Sequence, residues 1–116
     1  MSNRKLAFSV AAAVAISSGF AVAVAQEAQA ASCPDSGWHN YDNITATNIL
    51  KAGANIRTGP STTCTSVGQG QTSHSITLHC YKAGSGGYWD HVRDNTTGKS
   101  GWVSETAMNH YATNYC

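Results

Sequence analysis

From residue 75 onward the chain alternates. Ile76, Leu78 and Cys80 are separated by Thr77, His79 and Tyr81, the period of two expected of a strand with one buried face. On that alternation Tyr81 points away from Leu78 and Cys80. The run Gly84-Ser85-Gly86-Gly87 then breaks the pattern and predicts a hairpin connection. Tyr88 to Asp94 follows as a second strand, with Tyr88 facing away from Trp89. Asn95-Thr96-Thr97-Gly98 reads as a turn, and Lys99 to Ser104 as the returning strand. Upstream, Asn43 to Leu50 and Ala54 to Thr58 carry the threonine and isoleucine of strands. The second of these stops at Gly59-Pro60-Ser61, because proline cannot donate to a ladder and glycine permits a sharp bend. Ser104 suits the N-cap of one helical turn reaching Met108. No stretch holds a helical period long enough for more. The expectation is an all-β domain of five to seven short antiparallel strands, closed as a small barrel rather than stacked as a two-sheet sandwich.

The N-terminal segment follows a different pattern. Arg4 and Lys5 precede an uncharged apolar run from Leu6 to Ala25, and Ala28-Gln29-Ala30 offers small residues where a signal peptidase reads. These are the three parts of a secretory signal, expected to end at Ala30. A membrane anchor is the competing reading of the same run, weakened by its many alanines. Removal of residues 1–30 leaves 86 residues, secreted and free of any membrane segment.

That division changes the composition. Both phenylalanines, Phe8 and Phe20, fall in the signal, so the remaining core must be drawn from Trp38, Ile44, Ile49, Leu50, Ile56, Val67, Ile76, Leu78, Trp89, Val92, Trp102, Val103 and Met108. A domain of this size buries a modest share of its surface, and crosslinks carry weight. All four cysteines of the chain, Cys33, Cys64, Cys80 and Cys116, lie after Ala30, and an even count in a short exported chain reads as a disulfide framework. Three pairings are open. Cys64–Cys80 closes a loop of fifteen residues, worth about 3 kcal/mol in the chain-entropy model. Cys33–Cys116 would then join two ends that otherwise fray, and this pair of bridges is the expectation. The cysteine and histidine spacings do not form a metal motif, and neither a metal nor an organic cofactor is expected.

Charge is scarce. After Ala30, Lys51, Arg57, Lys82, Arg93 and Lys99 balance Asp35, Asp42, Asp90, Asp94 and Glu105. Without a basic stripe to displace counterions from phosphates, nucleic acid is a poor partner. Five histidines, His39, His74, His79, His91 and His110, would add up to five positive charges on mild acidification if all were exposed, and pH-dependent adhesion to an anionic wall is the corresponding expectation.

The segment Ala54-Asn55-Ile56-Arg57-Thr58-Gly59-Pro60-Ser61 resembles the opening motif of bacterial Src-homology-3-like (SH3b) domains. Val67-Gly68, the strand at Ile76 to Cys80, Trp89-Asp90-His91-Val92, the turn at Gly98, Gly101-Trp102-Val103 and Met108 follow in that family's order. The resemblance covers residues 47–108, leaving residues 31–46 as an irregular lead-in and residues 109–116 as a tail tethered by Cys116. It implies a barrel whose frame rests on Asn55, Arg57, Gly59, Pro60, Trp89, Gly101, Trp102 and Val103, acting as a non-catalytic recognition module for peptide or glycan of the cell envelope; a monomer is expected. A secreted inhibitor or effector acting on another protein is the alternative, with Gly68 to Ser73, locked by Cys64–Cys80, as its protruding loop.

Catalysis finds little support. There is no Gly-x-Ser-x-Gly elbow, and Asp90 and Asp94, four apart on one strand, would stand about 13 Å apart, too far for paired carboxyl chemistry. Recognition finds more. All eight aromatics after Ala30 are tryptophan or tyrosine, rings with a polar handle and little conformational freedom. Arg57 can lay its stem on a ring and give its fork to backbone carbonyls, a scaffold role. Trp102 and Val103 face opposite ways, so one of them should lie outside or in a crevice. Tyr81 and Tyr88, flanking the glycine hairpin, are the leading candidates for a binding patch, with Trp38 and Tyr41 of the lead-in as further candidates.

Overall fold

The computed structural model describes residues 32–116; the expected signal segment lies outside the described residues. Six strands build one antiparallel sheet: β1 (Ile44–Ala46), β2 (Ala54–Arg57), β3 (Ser66–Gly70), β4 (Ile76–Gly84), β5 (Gly87–Asp94) and β6 (Lys99–Ser104). Their order across the sheet is β1-β4-β5-β6-β2-β3, so β1 and β3 form its two edges. Glu105–Ala107 adds a single 3-10 turn, with the Ser104 side chain accepting from the Thr106 N–H as N-cap. The all-β class and the strand number agree with the sequence. Among the described residues no helix is long and apolar enough to cross a membrane.

Several local expectations shift. The strand foreseen over Asn43 to Leu50 is cut to three residues, because Asn48 takes a left-handed backbone (φ 61°), a conformation asparagine tolerates better than most residues. Ser66–Gly70, read as loop from Gly68 on, is an edge strand. Its side chains are small or polar, and Gly68 packs against Lys99 while Gly70 packs against Leu50, so no apolar alternation marks it.

One face of the sheet gathers the apolar core of Ile49, Leu50, Ala54, Ile56, Ile76, Leu78, Val92, Val103, Met108 and Ala112. Of the expected core residues, Ile44 and Val67 are exposed, because both sit on edge strands. Trp89 is buried, but on the opposite face from Val92, since neighbours three apart on a strand point opposite ways.

The other face is covered as well. The lead-in crosses it and bonds as it goes: the Asp35 N–H donates to Thr58 O (2.9 Å) and the Asp42 N–H to His79 O (2.8 Å). Trp102 lies on this outer face, yet it is fully buried. Its indole N–H donates to Asp35 O (2.9 Å), and Lys82, paired with Asp35 at 3.2 Å, sits 5.0 Å above its ring. Trp102 and Val103 are thus both sealed, one by the lead-in and one by the core.

The cysteines pair differently from the expectation. The bridges are Cys33–Cys64 and Cys80–Cys116. Cys80 belongs to β4, whereas Cys64 lies between β2 and β3, with β5 and β6 intervening in the strand order. Strands spaced about 4.8 Å apart hold such positions beyond the reach of a disulfide. Each bridge instead fastens a terminal segment to the sheet, Cys33 the lead-in and Cys116 the tail. The Cys64–Cys80 clamp that would have made Gly68 to Ser73 a rigid protruding loop is not formed.

The motif residues frame this sheet. Arg57 gives its guanidinium to Cys64 O (3.0 Å), a scaffold contact. Asn55 accepts from Ser66 and Gln69 across β2 and β3. A side chain at Gly101 would run into the Arg57 carbonyl, and one at Gly59 into the Ser32 carbonyl. Pro60 O accepts from the Ser85 N–H (2.9 Å) and holds the β4–β5 hairpin.

Candidate functional site

A register shift in β4 decides where the tyrosines go. Leu78 pairs with Val92, Cys80 with His91 and Tyr81 with Asp90, so His79 is an extra residue in the ladder. Residues directly opposite in an antiparallel pair share a face. The bulge therefore moves Tyr81 from the side expected of it to the face of Val92 and Asp90, where it packs against the core. Ala83 pairs with Tyr88, which puts Tyr88 on the same face. The Tyr81 and Tyr88 rings meet edge to face, with centroids 5.6 Å apart, and Tyr115 meets Tyr81 the same way at 5.3 Å.

The C-terminal tail completes the enclosure. Beyond β1 the open edge of β4 is taken by residues 114–116: the Tyr81 N–H donates to Asn114 O (2.9 Å) and the Cys116 N–H to Tyr81 O (2.8 Å). The Asp42 carboxylate accepts from the backbone N–H groups of Thr113 (2.7 Å) and Asn114 (3.0 Å) and from both of their side chains. With Cys80–Cys116 these contacts hold the tail over the sheet. Between tail and sheet opens a pocket of about 440 Å³ lined by Tyr81, Tyr88, Glu105, Tyr111, Ala112 and Thr113.

Behind Glu105 lies Asp90, wholly buried. Its Oδ2 accepts from the Ala112 N–H at 2.6 Å, while its Oδ1 has no donor. Burial, then the adjoining Glu105 carboxyl, pushes the Asp90 carboxyl up to about 9, against the opposing pull of the Ala112 N–H. With its pKa raised this far, the Asp90 carboxyl is protonated at neutral pH. Sequence reading tested Asp90 only against Asp94. The usable signal lay in the hairpin: the turn at 95–98 sets Asp90 opposite Val103, and Glu105, two residues on, returns to the same face.

The lead-in aromatics stand elsewhere. Trp38 stacks on His91 (3.8 Å) and His79 (4.7 Å), nearly coplanar with both, so one of its faces is already occupied. Beneath it the two imidazoles meet Nδ1 to Nδ1 at 2.8 Å. One ring must donate and the other accept, which requires at least one neutral imidazole. Burial lowers the pKa of both, that of His91 to about 3, with the charges of His79 and Lys82 adding to the effect there and Arg93 at His79. Tyr41 is exposed beside His39. Of the four candidate ligand residues, Tyr81 and Tyr88 come together, and Trp38 and Tyr41 take no part in the pocket. Tyr111 and Glu105 were not foreseen as its walls. Among the described residues no group of three or more His, Cys, Asp or Glu gathers to hold a metal ion. Neither a family model, nor a curated protein, nor a solved structure matches this chain.

Proposed function

We propose that this protein is a secreted, non-catalytic recognition module of the SH3-like barrel class, binding peptide or glycan of the bacterial cell envelope in the tyrosine-walled pocket. The observation that carries the reading is that enclosure, in which three tyrosines from β4, β5 and the tail converge with one carboxyl group. A concave site rich in aromatic faces with a few placed polar groups is the usual form of a ligand pocket. The barrel assignment draws on the motif residues and their contacts within the sheet: a strand-stopping Gly59-Pro60 turn, a scaffold Arg57 and a Gly101 that admits the Arg57 carbonyl. The two disulfides fit life in an oxidising compartment.

The test is co-sedimentation of the oxidised protein with isolated peptidoglycan. The expected result is retention in the pellet, with Tyr81→Ala and Tyr111→Ala each reducing it at least fivefold. Wild-type protein left in the supernatant would overturn the reading.

A further inference from the structure

Resting on that recognition reading, we infer that the pocket takes a primary ammonium group, such as a free peptide amine, held against the Glu105–Asp90 carboxyl pair and walled by the rings of Tyr81, Tyr88 and Tyr111. Three independent features point to this chemistry. Glu105 is the one charged residue among the six that line the pocket, and neither ion pair among the described residues, His74–Asp94 or Lys82–Asp35, involves it. The carboxyl behind it is fully buried, and its Oδ1 has no hydrogen-bond partner, a costly state for a buried polar atom. The surrounding walls are tyrosine, whose ring faces attract a cation through their quadrupole while the phenol oxygens accept hydrogen bonds.

An ammonium group brings three N–H donors and one positive charge. It compensates the single negative charge that the pair carries at neutral pH and supplies donors to the Glu105 carboxylate and the phenol oxygens. A neutral sugar would satisfy the acceptors and leave the charge uncompensated. A carboxylate or phosphate would be repelled by that charge.

The tail makes the site conditional. Ala112 bonds to Asp90 through its backbone, Thr113 is held by Asp42, and both line the pocket. The pocket wall and the carboxyl pair are therefore positioned by the same short segment.

The experiment titrates the oxidised protein with N-acetyl-glycyl-lysine amide and, in parallel, with its Nε-acetylated form, reading tyrosine ring shifts by NMR and heat by calorimetry. The expected result is saturable binding of the free amine that moves the Tyr81, Tyr88 and Tyr111 signals, with the acetylated peptide at least tenfold weaker. Glu105→Gln, which keeps the shape and is checked by an unchanged melting temperature, should lose tenfold for the amine and leave weak binding of the acetylated peptide unaltered. Equal affinity for both peptides, or full affinity in Glu105→Gln, would overturn the ammonium assignment. If an N-acetylglucosamine trimer moves the same tyrosine signals and the amine does not, the ammonium inference fails while the recognition reading survives. If peptidoglycan retains no protein, the recognition reading fails with it.

Discussion

Asp90 and His91 are neighbours in sequence, lie on opposite faces of β5, and pull the pH dependence of stability in opposite directions. The Asp90 carboxyl stands at about 9 in the folded protein against an ordinary 3.8. Between those values the unfolded chain has released a proton that the folded protein keeps, so stability falls as pH rises. His91 stands at about 3 against an ordinary 6.5, and there the unfolded chain holds a proton that the folded protein refuses. Stability then falls as pH drops, and His79, also lowered, acts in the same sense. The two effects oppose each other between roughly pH 4 and 6.5, and above that only Asp90 acts. The melting temperature should therefore decline from pH 6.5 to 9. Asp90→Asn should flatten that decline, since its amide still accepts from Ala112 and can donate to Glu105; an alkaline slope unchanged in the variant would contradict the assignment. On the other face, Trp38→Ala should cost on the order of 2 kcal/mol in urea unfolding, below the range for fully buried tryptophans because the ring is half-buried. It should also raise the pKa of His91 toward its ordinary value as water reaches the imidazole, which imidazole proton shifts would report.

Elements whose partners are close in sequence were legible, and those that depend on distant chain were not. The β5–β6 hairpin follows from Asn95 to Gly98 because the turn and both strands sit within eighteen residues. The alternation of β4 is equally plain up to Leu78. Beyond it the bulge at His79 breaks the period, and a single inserted residue reverses every later side chain. That reversal brings Tyr81 to the pocket, and the alternating pattern alone pointed the other way. The Gly101 site tests the packing of β2 on β6: Gly101→Ala should destabilise by about 2 kcal/mol, in the range of overpacked cores, because the new methyl would meet the Arg57 carbonyl and the Ile56 side chain. A variant as stable as the parent would mean that the two strands separate easily. The tail offers a sharper contrast. Replacing Cys80 and Cys116 together by alanine, which opens a sequence separation of 36 residues, should cost about 4 kcal/mol in the chain-entropy model and loosen the pocket wall. Replacing Cys33 and Cys64 should cost a similar amount, while ligand binding by whatever folded fraction remains should persist. Hydrogen exchange at Ala112 to Cys116 separates the two cases.

For the whole molecule, the balance of charges seen in the sequence does not survive folding unchanged. Residues 31–116 carry five basic and five acidic side chains, but Asp90 keeps its proton at neutral pH. The acid response is also smaller than five histidines suggest, because His79 and His91 are buried with lowered pKa. Unfolding of the Asp90→Asn variant at pH 5, in which no proton is released by residue 90, should therefore be accompanied by uptake of about one to two protons by these rings, measurable as a difference between native and urea-unfolded titrations. No uptake would mean that the imidazole pair is charged in the folded protein. The double-sided burial behind this result was hidden in the sequence, because a polar lead-in gives no sign that it will seal Trp102 and the histidines. The disulfides were hidden for a related reason: loop entropy ranks closures by length, whereas strand order decides which cysteines can touch. Their connectivity has a further consequence. Cys33 joins Cys64 and Cys80 joins Cys116, first to second and third to fourth, so neither covalent loop encloses or interlocks with the other. A chain that emerges from its N-terminus can thus oxidise in the order in which its thiols appear. The first loop can close before the second pair has been made, and no early bridge has to be undone to reach the final arrangement.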